Sequence, residues 1–225
     1  MIAKPAQLQK LLPKIEAADR VAVDTEADSL HCYREKLCLL QISLSVRDHV
    51  GWIERSARDV NSAAEGALVD SGSVTAGGLW SGQPIRDYIV DPLAGLDLGP
   101  LCAGLAKKEI VLHGADFDLR LLRRSLDLAP KQVFDTVIAA RLLGIHEFSL
   151  VALVERYFGI RLTKGSQRAN WGRRPLPVRM EEYAMNDTHY LLPLADLLET
   201  ELDRLGVGEH SAFRLCSSVL VSRCR

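Results

Sequence analysis

The apolar run Val21-Ala22-Val23 stops on Asp24-Thr25-Glu26. Side chains alternate along a strand with a period of two, so Asp24 and Glu26 emerge on the same side of the strand's end. Packing does not explain such a pair. Two further segments carry acids in comparable contexts: Val111-Leu112-His113-Gly114-Ala115-Asp116-Phe117-Asp118, and Tyr183-Ala184-Met185-Asn186-Asp187. Oxygen ligands of this kind suit hard divalent cations such as Mg²⁺ or Mn²⁺.

The pattern around these segments is that of an α/β fold. Leu8, Leu11, Leu12 and Ile15 recur at helical spacing over residues 6–18, with Pro13 marking a kink or a break. Residues 20–24, 37–44 and 87–91 read as strands, followed by a helix around 97–107 and a strand over 110–113. From Ala115 the pattern turns helical and stays so to about residue 205. Short strands first, with a helix intercalated before the fourth, predict a mixed β-sheet flanked by α-helices.

At 225 residues the chain reads as one domain over 1–205 with a C-terminal tail over 206–225. That tail leaves no room for an accessory domain, and Phe213, Leu215, Val219 and Leu220 fit a short helix packed on the domain. Residues 56–84 break the economy of the fold, since 15 of 29 are Ser, Gly or Ala. This segment reads as a mobile surface insertion, against the alternative of an ordered subdomain. A formal net charge of −1 excludes a generally basic nucleic-acid binder but leaves room for a local basic surface. Five cysteines without a C-x-x-C pair argue against a disulfide framework or a zinc site. No apolar run has the length of a membrane span and the N-terminus lacks an apolar signal core, so a cytoplasmic location is expected.

Hydrolysis of a phosphodiester needs an activated water and stabilisation of both the transition state and the leaving oxygen. Two cations about 4 Å apart, held by carboxylates, meet all three needs. Asp24 suits a bridging ligand and Glu26 the ion that carries the nucleophilic water. Asp118 falls near the start of a helix after a strand and a Gly-Ala turn. Asp187 and Tyr183 are four residues apart on one helix face. A phenol with a solution pKa of about 10 is a poor base, so Tyr183 is assigned mainly to positioning the water.

In these segments the chain resembles the DEDD superfamily of 3′–5′ exonucleases, in its tyrosine-bearing branch, and within it the ribonuclease D group. The resemblance runs from about residue 18 to 202, interrupted by the 56–84 insertion. It includes Leu39-Leu40-Gln41-Ile42-Ser43, Ile89-Val90-Asp91-Pro92-Leu93, Phe134-Asp135-Thr136 with Ala139-Ala140-Arg141-Leu142-Leu143, and Ser166-Gln167-Arg168-Ala169-Asn170-Trp171-Gly172-Arg173-Arg174-Pro175-Leu176. The final block is Tyr183 to Leu192. The resemblance implies a ribonuclease H-like fold and two divalent ions, Mg²⁺ or Mn²⁺, held by Asp24, Glu26, Asp118 and Asp187. It implies that Tyr183 places the water, and it favours Asp118 over Asp116 as the ligand, leaving Asp116 and Asp135 structural or outside the ligand set. The insertion is a departure, and the helical nucleic-acid-binding domain often found in the family is not expected after residue 205.

For substrate, residues 159–180 contain no acid and six basic residues: Arg161, Lys164, Arg168, Arg173, Arg174 and Arg179. With Trp171 among them, this stretch has the make-up of a surface that holds single strands by phosphate contacts and stacking. Arg168, Trp171, Arg173 and Arg174 are the candidates here, joined by Thr25, His113 and Phe117 beside the acids. Leu30 is a second wedge candidate, and Arg120, Arg123 and Arg124 read as a solvated face. The function expected is 3′–5′ exoribonuclease activity on RNA 3′ ends, with transfer RNA suggested by the resemblance. Single-stranded DNA exonuclease activity and a catalytically silent nucleic-acid-binding module are the alternatives.

Overall fold

In the computed structural model, which describes residues 1–28, 35–45, 84–162, 169–206 and 214–216, the apolar runs become strands of one mixed sheet. Its strands are β1 (Arg20–Ala27), β2 (Leu37–Ser45), β3 (Ile85–Val90), β4 (Glu109–Leu112), β5 (Gln132–Asp135) and β6 (Arg214–Cys216), in the order β3-β2-β1-β4-β5-β6. β2 pairs antiparallel with β1 and β3, β4 pairs parallel with β1 and β5, and β6 closes the edge antiparallel to β5.

Alternation along β1 divides its side chains between two apolar layers. Val21 and Val23 join Leu40, Ile42, Ile110, Leu112 and Val133 under α1 (Pro5–Ala17), α2 (Gly99–Leu105) and α3 (Asp116–Leu126). Ala22 faces the other way, with Val111 and Phe134, under α4 (Thr136–Leu142), α5 (Leu150–Phe158) and α7 (Leu191–Arg204). On this second face Leu39 and Ile89 also receive Trp171, Leu176 and the Met180–Ala184 side of α6 (Val178–His189). Asp24 and Glu26 keep the parity of Ala22, so they face α6. The helices on both faces are those the α/β pattern requires.

The rotation of α6 is set by its buried stripe of Met180, Ala184 and Thr188. A polar network adds register where apolar packing alone would let the helix slide: Ser43 Oγ lies 2.6 Å from Asp87 Oδ1 and 2.7 Å from Thr188 Oγ1. His189 Nδ1 meets the other oxygen of Asp87 at 2.8 Å.

Three elements depart from the sequence reading. α1 runs through Pro13 without a break, because Pro13 lies on the exposed side, where the carbonyl it leaves unpaired is solvated. β5 interrupts the stretch read as helical, because its apolar core, Val133-Phe134, is too short to show a period and is defined by pairing with β4. Residues 214–216 of the tail, read as part of a short helix, form β6 through pairing with β5. Residues 56–83 of the insertion, together with Leu30, Lys164, Arg168, Phe213, Val219 and Leu220, lie outside the described residues.

Candidate active site

The four acids reach one place from three elements. β1 delivers Asp24 and Glu26 at its C-terminal end, α6 delivers Asp187, and one carboxylate oxygen from each of the three lies within 4.8 Å of the others. α3 delivers Asp118, whose Oδ1 accepts from the Thr25 backbone N–H at 3.1 Å and from the Thr25 hydroxyl. The strand therefore fixes the neighbouring helix as well as carrying its own acids.

The turn before α3 is itself braced. Gly114 adopts φ 76°, a left-handed conformation that glycine takes without strain. Its N–H donates to Asp135 Oδ1 at 3.0 Å, that of Ala115 donates to Asp135 Oδ2 at 2.8 Å, and Val137 N–H, in the first turn of α4, donates to Asp135 Oδ1 at 2.8 Å. Asp135 is thus a structural acid tying two loop–helix junctions together. Asp116 is an exposed partner of Arg120. Arg123 and Arg124 pair with Asp127 and Glu35, so this face of α3 is the solvated one its sequence suggests.

Electrostatics of the cluster follow from crowding like charges in a buried place. Glu26 is pushed up to about 9, first by burial and then by Asp187 and Asp118. Burial, reinforced by Asp118, Asp187 and Glu26, holds Asp24 well above the usual carboxylate range. Asp187 is raised by burial and by Asp118, while a hydrogen bond from Tyr183 works against the rise. Asp118 is raised by burial against the opposing bonds from Thr25. Positive charge favours the joint ionisation of such acids near neutral pH, and a carboxylate donor set fits a hard divalent cation. A buried carboxamide beside Asp24, Gln41, also has neither polar atom satisfied among the described residues. The residues fit the metal that the sequence pattern implies.

Tyr183 and Asp187 share one face of α6 and are hydrogen-bonded. The Tyr183 ring packs on Trp171, with centroids 6.1 Å apart and planes at 35°. Trp171 is only 1% exposed. This corrects the expectation that Trp171 stacks on substrate, because its faces are already covered by protein.

Arg174 needs the same correction. Its guanidinium forks onto buried Asp91, with Nε to Oδ2 at 2.7 Å and Nη2 to Oδ1 at 2.6 Å. It also donates to the carbonyls of Cys38 at 2.9 Å, Trp171 at 2.8 Å and Arg173 at 2.8 Å. All five N–H donors of an arginine are thereby engaged within the protein. The side chain staples the loop before α6 to the sheet. Thr25 likewise directs its hydroxyl and N–H to Asp118, which leaves neither as a donor to substrate.

Other candidates remain open to solvent. Phe117, in the first turn of α3 next to Asp118, is 40% exposed. Arg173 and Arg179 are exposed and form no ion pair among the described residues, whereas Arg161 is paired with Glu155 at 2.7 Å. His113 is neutral, lowered to about 4 by burial against the opposing field of Asp135. The Thr136 hydroxyl donates to the Leu112 carbonyl at 3.1 Å, so His113 Nδ1–H is assigned as donor to Thr136 Oγ1 at 2.8 Å. Its Nε2 is then an acceptor, suited to a hydroxyl rather than to a phosphate oxygen. The residue that the sequence reading passed over is Gln41; its signal was a lone carboxamide inside the run Leu37 to Leu44.

Comparison with known proteins agrees with this geometry. A family model described as 3′-5′ exonuclease matches residues 1–73 and 73–203. Ribonuclease D of Zymomonas mobilis is 32% identical over 213 residues, covering 92% of this chain and 45% of that protein. Protein RRP6-like 2 of Arabidopsis thaliana is 31% identical over 198 residues, covering 88% of this chain and 19% of that protein. The crystal structure of the catalytic core of RRP6 from Trypanosoma brucei superposes with a TM-score of 0.72 at 27% identity, covering 96% of this chain and 50% of that one. The chain thus spans less than half the length of these two curated relatives. With its acids gathered on a mixed sheet of the same architecture, the chain belongs to the 3′-5′ exonuclease family.

Proposed function

We propose that the chain hydrolyses phosphodiester bonds from the 3′ end of single-stranded RNA, using two Mg²⁺ or Mn²⁺ ions held by Asp24, Glu26, Asp118 and Asp187. The observation that carries this reading is the meeting of Asp24, Glu26 and Asp187 carboxylates within 4.8 Å, with Asp118 locked beside them by Thr25. Held by these four acids, such cations would supply acidification of a water and neutralisation of charge on the scissile phosphate. Tyr183, braced by Trp171 and bonded to Asp187, orients the attacking water. Phe117 offers an exposed ring for a terminal base, and Arg173 an exposed cation for the backbone. The names of the ribonuclease D and RRP6 relatives support RNA as the substrate, and the ribonuclease D likeness suggests transfer RNA 3′ ends.

The test is a 5′-labelled RNA and its DNA counterpart incubated with the chain and Mg²⁺ or Mn²⁺. A ladder of shortened RNA products supports the reading, equal ladders move it to single-strand exonuclease activity on both sugars, and no ladder with either ion leaves a binding module. Asp24→Asn is expected to abolish the ladder while RNA binding persists. Turnover retained by this variant overturns the role of Asp24.

A further inference from the structure

Gln41 stands out because of what surrounds it. β2 is apolar over Leu37, Cys38, Leu39, Leu40, Ile42 and Leu44, and all of these are buried. Its two interior polar residues, Gln41 and Ser43, share the face that looks toward α6. Ser43 is accounted for by Asp87 and Thr188. Gln41 is 0% exposed, yet neither its Nε2 nor its Oε1 has a hydrogen-bond partner among the described residues. Burying an unpaired carboxamide is unfavourable, and an aliphatic side chain of similar length would fill the same space without that penalty.

The register places this amide beside the acids. Gln41 is the cross-strand partner of Asp24, and Leu39 is that of Glu26. Directly opposed residues of an antiparallel pair project from the same face with their Cβ atoms about 5 Å apart, and the diagonal neighbour is within reach of a long side chain. Gln41 therefore has Asp24 across from it, Glu26 on the diagonal and Ile89 on its other flank. Ile89 is packed with Trp171 and Ala184, which close the space above. On this face the carboxamide has the acid cluster across from it, and the Ser43–Asp87–Thr188 network one step along β2 is already bonded within itself.

We propose that Gln41 is a positioning residue for the cation cage: its Nε2–H donates to the Asp24 carboxylate when that group ligates divalent cations, and its Oε1 accepts from water held with them. The donation fixes the orientation of the carboxylate and leaves its remaining lone pairs for the ions, as partners behind metal ligands do elsewhere. A carboxamide suits the task because it carries both a donor and an acceptor without adding charge to a site already crowded with acids. The inference rests on the reading of the acids as a metal site and extends it to a residue outside the ligand set.

The 225-residue chain, stripped of metal, is titrated with Mn²⁺ by calorimetry without nucleic acid, alongside Gln41→Met. Melting temperatures are recorded in EDTA. Gln41→Met is expected to melt no lower than the unmodified chain in EDTA, since two orphaned atoms are removed, yet to bind Mn²⁺ about tenfold more weakly. An unchanged Mn²⁺ affinity overturns the proposal. So does weaker binding accompanied by a lower melting temperature in EDTA, which assigns Gln41 to folding. If Gln41→Met does not fold, Gln41→Asn is judged by the same two readouts, its amide withdrawn by one methylene. Failure of the unmodified chain to bind Mn²⁺ would defeat the metal-site reading itself and this inference with it. Binding by the unmodified chain with equal binding by the variant defeats only the role of Gln41.

Discussion

Tyr183 and Asp187 show how a single residue's role depends on its support. The phenol is hydrogen-bonded to Asp187 and its ring rests on Trp171, so its position is set before substrate arrives. Tyr183→Phe keeps the ring and its packing and removes only the hydroxyl. Its expected effect is a fall in kcat of about 10- to 100-fold with RNA affinity unchanged, measured by single-turnover hydrolysis beside filter binding. An unchanged rate would remove the hydroxyl from the mechanism.

Two adjacent arginines in the loop before α6 illustrate the element scale. Arg174 is bound on every donor and ties that loop to Asp91 and to the β2 carbonyl of Cys38. Arg173 is exposed and forms no ion pair among the described residues. Arg174→Ala should therefore destabilise the chain by about 3 kcal/mol in urea unfolding, because it strands a buried carboxylate. Arg174→Lys should fail to restore that loss, since an ammonium lacks the planar fork. Arg173→Ala should leave stability unchanged, weaken RNA binding severalfold and reduce the slope of log affinity against log salt by about one phosphate contact. Exchange of these two phenotypes would show that the loop is seated differently.

For the molecule as a whole, the acid cluster makes stability depend on pH and metal together. Glu26 is held at about 9 and Asp24, Asp118 and Asp187 are raised as well, against unfolded values of about 4. Across that interval the folded, metal-free chain binds more protons than the unfolded one, so its stability falls as pH rises. Melting temperatures in EDTA are expected to decline between about pH 5 and about pH 9. Cations compete with those protons, so stabilisation by Mg²⁺ should grow over the same range. A melting temperature in EDTA that rises towards pH 9 would contradict the crowding of these groups.

That Asp24, Glu26 and Asp187 come together was legible in the sequence because much of the geometry is local. The parity of Asp24 and Glu26 follows from a strand, that of Tyr183 and Asp187 from a helix turn, and the α/β pattern follows from the order of apolar runs. The substrate contacts assigned to Trp171, Arg174 and Thr25 were not legible, because residue type and charge do not reveal which polar groups the fold consumes. Buried Asp91 claims Arg174, Asp118 claims Thr25, and the face of α6 covers Trp171. β5 and β6 are strands through pairing with neighbours distant in sequence, and Gln41 meets Asp24 only through the β1–β2 register. Short-range periodicity paired Asp24 with Glu26 and Tyr183 with Asp187, and the family resemblance joined Asp118 to them; tertiary contact alone decided which of the surrounding polar groups remain available to a ligand.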